Sequence, residues 1–243
     1  MKIGIISDIH GNDAALQAVL RVLEHHGAQR IVCAGDVVGY GPRPSACIHT
    51  LRTSDIDCVR GNHDQYTVLE RHDALRIQPE AREVIRWTRD HLSAEELDWL
   101  ENLPMVRHVN GFALIHASHV VFPRWPYIVN ENQAMDNFLF QRVRLAFNGH
   151  THVPLCVGHD PGGRAQVGLL RNMFLPRRRR LLIGVGSVGQ PRDGDPRASC
   201  VLYDTDHQYV RLLRVEYDIA VTQQQIRDAG LPHFLAERLS EGR

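Results

Sequence analysis

Short apolar runs, each ending in a knot of polar residues, recur along the first two-thirds of the chain. Residues 2–6 (KIGII) read as a strand that stops at Ser7-Asp8, and residues 30–34 (RIVCA) and 56–60 (IDCVR) repeat the pattern. Continuous apolar runs of this length suit strands covered on both faces. After the first of them, Leu16, Val19, Leu20 and Leu23 fall at helical spacing, and Asn12 is placed to cap that helix, because its side-chain oxygen can take an unpaired amide of the first turn. Pro44 suits the first turn of another short helix through about Leu51, where a missing N–H costs nothing. Strands alternating with helices predict a layered α/β fold whose polar residues gather at the strand carboxyl ends.

The pattern changes over residues 65–103. Helical spacing appears at 65–72, 79–91 and 94–102, and Ser93 with Glu96 forms a capping box for the last of these. We read this stretch as a helical insertion beside the site. Strand patterns resume at 105–109 and 111–117, joined by the hairpin signal Asn110-Gly111. Runs at 144–148 and 153–158 flank a histidine-rich loop, and further strands are expected near 165–170, 179–185, 199–204 and 209–216, with helix from about 220. A β-rich second half predicts a second sheet packed on the first. A chain of 243 residues fits one domain over 1–243 with the 65–103 insertion.

Composition narrows the partners. The chain has 28 basic and 28 acidic residues, so no broad electrostatic surface for nucleic acid or anionic lipid is expected, and no stable nucleic-acid partner. The Pro176–Arg180 run (PRRRR) reads as a solvated turn at a strand start. No apolar run approaches the roughly 20 residues that span a bilayer, and no leader pattern is seen, so a cytoplasmic protein without membrane contact is expected. Cys33, Cys47, Cys58, Cys156 and Cys200 lack paired metal-ligand spacing and read as reduced, mostly buried thiols. The oligomeric state is left open. Neutral charge still permits a small phosphate substrate, because a metal ion can supply local positive charge.

The 15 histidines are the compositional oddity, and several fall in the polar knots. Five clusters follow strand-like runs: Asp8-Ile9-His10-Gly11, Gly35-Asp36, Gly61-Asn62-His63-Asp64, His116, and Gly149-His150-Thr151-His152. Alone, each has an ordinary explanation: an Asp after a strand caps helices, Gly-Asp is a common turn, and a lone histidine such as His116 is usually a core residue. Five in succession, each at a strand end, point to one metal-binding rim. A carboxylate can bridge two cations about 3.5–4 Å apart, and such a pair polarises a phosphoryl oxygen and brings the pKa of a shared water near neutrality. Mixed imidazole and carboxylate donors suit manganese, iron, zinc or nickel better than magnesium or calcium.

The order Asp-x-His, Gly-Asp, Gly-Asn-His-Asp, His, Gly-His-Thr-His resembles that of the calcineurin-like metallophosphoesterases. The stretches GDVVGYGP (35–42) and GSVGQPR (186–192) resemble a bacterial branch of small phosphodiesterases and diadenosine tetraphosphate hydrolases. The resemblance implies a four-layer α/β/β/α sandwich of two mixed sheets and a two-metal centre, most simply with manganese. Asp8, His10 and His152 would bind the first ion, Asn62, His116 and His150 the second, and Asp36 would bridge them. His63 would contact the phosphate and act as general acid, with Asp64 orienting it. The implied reaction is in-line attack by a metal-bridging hydroxide on a small phosphodiester or a nucleotide phosphoanhydride such as a dinucleoside polyphosphate. A non-catalytic scaffold, a nuclease and a protein phosphatase occur on the same fold. The scaffold is disfavoured because every expected donor position is filled, and the nuclease because the charge is neutral. The chain departs from the family pattern at His116-Ala117, where His-Gly is common, and at Gly184–Ser187, where Asn-Pro-Gly-Ser is common. Neither change touches a donor. Tyr40, Arg43 and Arg192 are candidate substrate-binding residues on Gly/Pro-rich loops, and Arg124, Trp125 and Tyr127 could meet a base after His116.

Overall fold

Period-two alternation of apolar residues builds the observed architecture. In the computed structural model, which describes residues 1–70, 77–120 and 125–243, two six-stranded sheets stack on one another. The first contains β1 (Lys2–Ile6), β2 (Arg30–Cys33), β3 (Asp57–Cys58), β9 (Met173–Phe174), β11 (Ala198–Asp204) and β12 (Tyr209–Val215), in the order β3-β2-β1-β11-β12-β9. The second contains β4 (Val106–Val109), β5 (Phe112–Ile115), β6 (Leu145–Asn148), β7 (Pro154–His159), β8 (Ala165–Leu169) and β10 (Arg180–Val185), in the order β4-β5-β6-β10-β7-β8. Both are mixed: β1, β2 and β3 run parallel, as do β5, β6 and β10, and the remaining pairs are antiparallel.

Successive side chains of a strand face opposite ways. Ile3 and Ile5 therefore enter the core between the sheets with Phe112, Leu114, Phe147 and Ile183. Ile6 and Cys33 face outward onto α1 (Asp13–His25) and α2 (Pro44–Thr53). Ala113, Ile115, Ala146 and Leu182 face the other way, onto Ala134 and Phe138 of α6 (Glu131–Phe140). Each fully buried side chain of this size stabilises the fold by roughly 1.5–3 kcal/mol. The result is the α/β/β/α sandwich that the resemblance implied. Its stacked parallel strands end on one rim, and the five motifs follow those ends.

The caps form as expected. The Asn12 side chain accepts the Ala15 amide at 3.1 Å. Ser93 and Glu96 exchange hydrogen bonds at the start of α5 (Ala94–Glu101). The helix expected at 65–72 begins earlier, as α3 (Asn62–Val68), because Gly61 is extended and Asp64 takes the Gly61 amide in the first turn; positions 71–72 lie outside the described residues. The third strand is shorter than 56–60 and pairs only at Asp57–Cys58. Helix α6 and the two-residue β9 were not foreseen. In the insertion, α4 (Pro79–Asp90) presents Val84 to a small cluster with Tyr40 and the C-terminal pair α7 (Ile219–Asp228) and α8 (His233–Glu241). Ile226, Leu235 and Leu239 of that pair also close the space behind His10 and Tyr40. All five cysteines are unpaired, and all but Cys156 are buried. Among the described residues, no helix is long and apolar enough to cross a membrane.

Candidate metal centre

The rim residues sit on strained backbone. Asp8, His10, Asp36, His150 and His152 all have φ between 50° and 67°, a region that costs a non-glycine residue about 1–3 kcal/mol and persists only when its surroundings over-determine it. Here they do. The Asp8 amide donates to the Gly35 carbonyl at 2.9 Å, that of His10 to Asp36 at 3.0 Å, that of Gly149 to His116 at 3.0 Å, and that of Gly189 to Asp8 at 2.9 Å. Loops from separate strands are thus stitched into one platform. Gly61 and Gly149 are required by close approach: a Cβ there would lie 2.1 Å from Asp36 Oδ1 and 2.2 Å from Asp8 Oδ2, respectively.

On this platform the donors converge. Three groups, Asp8–His10–His152, His10–Asp36–His63 and Asp8–Asp36–His116, each bring their ligand atoms within 4.8 Å of one another. Asp36 Oδ2 lies 3.7 Å from His10 Nε2 and 3.3 Å from His116 Nε2, between the two sets that a bridging carboxylate would join. His152 Nε2 is 3.3 Å from Asp8 Oδ1, and Asn62 Oδ1 is 3.1 Å from His116 Nε2. Backbone carbonyls fix which imidazole nitrogen is free. His10 Nδ1 faces Val38 O at 3.1 Å, His116 Nδ1 faces Ala34 O at 2.8 Å, and His152 Nδ1 faces Gln190 O at 2.6 Å. Carbonyls accept only, so Nδ1 carries the proton and Nε2 presents its lone pair to the centre. His150 is reversed. Its Nε2 donates to Trp125 O at 3.0 Å, which leaves Nδ1 as its free nitrogen, and its amide donates to Asp8 Oδ2 at 3.0 Å.

The electrostatics call for a cation. His10 and His152 bring Nε2 to Nε2 at 3.1 Å, and burial holds both imidazoles well below their usual proton affinity. Two lone pairs face each other in a dry site, an arrangement that a positive ion between them makes favourable. Burial raises Asp8, His116 opposes the shift and Asp36 reinforces it, and the carboxyl ends at about 7. Burial would raise Asp36 too, but His116, His63 and His10 outweigh it and hold the carboxyl well below the ordinary range. His116 shows the converse: burial pushes it down, yet the charge and hydrogen bond of Asp36 lift it to about 10. Asp8, His10, Asp36, His116 and His152, buried carboxylates and imidazoles with converging ligand atoms, fit a metal ion in chemistry and in placement.

Asp64 is bonded to the Asp36 loop. Its carboxylate accepts the amides of Asp36 (2.9 Å), Val37 (2.9 Å), Val38 (3.2 Å) and Gly61 (2.9 Å), and among the described residues no hydrogen bond joins it to His63. Four amides converge on it because α3 starts directly beneath the Asp36 loop. The residue therefore holds the loop that carries the proposed bridge. Burial and the Asp36 charge raise Asp64 to about 7, so each bond is taken at the ordinary net worth of about 0.5–1.5 kcal/mol, and truncation would orphan all four amides. Asp64→Ala is thus expected to lower stability by at least about 3 kcal/mol and to deplete bound metal, leaving turnover per bound metal nearly unchanged. Denaturation midpoints and elemental analysis test this; intact metal content with lost turnover would return Asp64 to a role in catalysis.

His63 sits beside the donors. Its amide donates to Asp36 Oδ1 at 2.8 Å, and its ring packs 4.4 Å from Tyr40 and 4.8 Å from His10. Its Nδ1 is buried without a partner among the described residues. A cavity of about 550 Å³ opens here, lined by Asn62, His63 and His150 on the metal side and by Tyr40, Tyr66, Ile85, Trp125 and Tyr127 on its walls. Arg192 lies 5.7 Å over the Tyr40 ring, and its charge bears on His10, His63 and His152. Arg43 is not brought to the centre: it is exposed at the start of α2, with its charge beside Cys47. Arg124 lies outside the described residues. Sequence reasoning overlooked Tyr66, two residues past the third motif, and the Gln190 carbonyl that orients His152.

Comparison with known proteins shows the family. The family model described as calcineurin-like phosphoesterase superfamily domain matches residues 1–208. The crystal structure of a metallophosphoesterase from Sphaerobacter thermophilus superposes with a TM-score of 0.87 at 41% identity, covering 100% of both chains. An uncharacterized protein of Methanocaldococcus jannaschii is 35% identical over 99% of this chain and 98% of its own length. Two bacterial enzymes match at 27% identity. Serine/threonine-protein phosphatase 1 of Salmonella typhimurium does so over 65% of this chain and 77% of its own. The symmetrical bis(5'-nucleosyl)-tetraphosphatase of Chromobacterium violaceum does so over 51% of this chain and 45% of its own.

Proposed function

As this chain belongs to the calcineurin-like phosphoesterase superfamily and is a metal-dependent phosphoester hydrolase, we propose that it uses two ions to cleave small phosphodiesters or nucleotide phosphoanhydrides. Asp8, His10 and His152 would hold one ion, Asn62, His116 and His150 the other, and Asp36 would serve both. Manganese is the proposed ion for activity, with iron, zinc or nickel as alternatives. Bound there, the pair would polarise a phosphoryl oxygen and bring the pKa of a shared water near neutrality. The chain supplies the rest. The carbonyls of Val38, Ala34 and Gln190 keep three imidazoles aimed inward. Asp64 holds the Asp36 loop. His63, on the boundary between donors and cavity, gives a proton to the departing oxygen. The observation that carries this reading is the pair of bare Nε2 atoms 3.1 Å apart beside two buried carboxylates.

Substrate size follows from the walls. The α4 helix and the Trp125–Tyr127 segment crowd the metal centre, which favours small molecules over folded phosphoproteins. The local likeness to a bis(5'-nucleosyl)-tetraphosphatase supports a nucleotide, and the likeness to a protein phosphatase keeps a second reading in view. The unpaired thiols are in keeping with a cytoplasmic setting. A substrate panel with added manganese decides among these. Hydrolysis of bis(p-nitrophenyl) phosphate and of a dinucleoside polyphosphate is expected, with little action on phosphoserine peptides. Peptide turnover well above that of every nucleotide would replace this reading with a protein phosphatase.

A further inference from the structure

The cavity beside the donors has an uneven character. Its metal side is polar, whereas its walls are formed by Tyr40, Tyr66, Trp125 and Tyr127 with the buried Ile85. Four aromatic side chains around one space of about 550 Å³ are notable in a chain with only 7% aromatic residues. The volume falls in the roughly 300–1,000 Å³ range of small-molecule sites. The rings are held in place. Tyr127 stacks on His150 at 4.2 Å with 12° between planes, and Tyr40 packs 4.4 Å from His63. The Trp125 indole donates to Gln65 Oε1 at 2.9 Å. Tyr127 nevertheless remains 46% exposed, so an apolar face is kept open to a ligand.

We infer that this cavity is a nucleobase site, which takes the nucleoside of a nucleotide substrate while its phosphate lies over the donors. The inference rests on the proposed phosphoesterase reading and adds the chemical class and orientation of the substrate. Aromatic rings stack on a base through its π-face whatever its identity, so the site selects nucleosides over sugars without requiring one base. The polarity of the substrate follows from the lining. His63 borders the cavity, whereas Asp8, Asp36 and Arg192 do not. A group bound in the cavity is therefore on the side to which His63 can give a proton, and the nucleoside-bearing fragment is the one expelled.

Binding to the manganese-loaded protein tests this independently of turnover. The probes are adenosine 5'-monophosphate, ribose 5-phosphate and phenyl phosphate, titrated calorimetrically. Loss of base stacking weakens binding on the order of ten- to a hundredfold, so the nucleotide is expected to bind at least tenfold tighter than ribose 5-phosphate. Tyr66→Leu or Tyr127→Leu should collapse that ratio towards one while ribose 5-phosphate affinity and metal content hold. Two variants are used because Tyr127 also supports His150. Equal affinities for the nucleotide and the sugar phosphate would overturn the inference, as would a ratio unmoved in both variants. Phenyl phosphate matching the nucleotide would overturn the nucleoside assignment. A protein that shows the base preference but leaves bis(p-nitrophenyl) phosphate intact would refute the hydrolytic reading and spare the site.

Discussion

Asp36→Asn is expected to empty both metal positions and to reduce phosphoesterase turnover by at least about 10³-fold. Asp36 Oδ2 stands between the two candidate donor sets, 3.7 Å from His10 Nε2 and 3.3 Å from His116 Nε2. Losing its charge removes the one donor the ions would share. Lewis-acid stabilisation is worth several kcal/mol, and each 1.36 kcal/mol is tenfold in rate. Asparagine is the informative replacement because it keeps an Oδ1 for the His63 amide, now bonded at 2.8 Å, so the start of α3 is preserved. A second readout needs no substrate. A metal at a thousand times its Kd stabilises the native state by about 4 kcal/mol. At about 2–4 °C per kcal/mol for a chain of this size, manganese should raise the Tm of the wild type by roughly 8–16 °C. That rise should vanish in the variant. Two equivalents of metal and an undiminished thermal shift in Asp36→Asn would sink the bridging assignment.

The candidate donors were legible in the sequence because strand ends are. An apolar run that stops at a Gly, Asp, Asn or His cluster announces both the strand and the rim. Parallel strands in two stacked sheets then bring the rims together. What could not be read was how each side chain is used. Asp64 follows His63 in the third motif, and the family resemblance implies that it orients that histidine. The helix that begins at Asn62 instead turns its carboxylate down onto the Asp36 loop. Arg43 is close in sequence to Tyr40, but it is the exposed N-cap of α2 and does not line the cavity. Helix α6 escaped because its periodicity is blurred: Ala134, Asn137 and Phe138 are buried, yet Leu139 and Phe140 are exposed. Its start was written in the chain. Asn130 accepts the Gln133 amide, and Gln133 returns a bond to the Val129 amide, close to the reciprocal capping pattern. The aromatic cavity draws its walls from four separate segments, so no local pattern could reveal it.

His63→Ala separates three roles that the geometry allows for this side chain. The ring lies within reach of His10 and Asp36, as a ligand would. It also borders the cavity, as a proton donor would. Burial lowers its proton affinity to about 4, Asp36 opposes the shift, and Arg192 and His116 add to it. The free imidazole is therefore neutral at pH 7 and, in the proposed role, would gain its proton when the negative charge of a bound phosphate adjoins it, since an opposite charge favours the ionised form. General acid catalysis contributes about 10²–10⁴-fold. The variant should keep both metal equivalents and lose about that much in kcat for esters whose alkoxide leaves poorly. For bis(p-nitrophenyl) phosphate the loss should be much smaller, because p-nitrophenolate departs as a stable anion and needs little protonation. A ligand role predicts a different outcome, the loss of one metal equivalent with turnover per intact centre unchanged. A packing role predicts equal losses for good and poor leaving groups. Only an acid makes the defect grow with the basicity of the leaving oxygen, so the slope of log kcat against leaving-group pKa should steepen from wild type to His63→Ala.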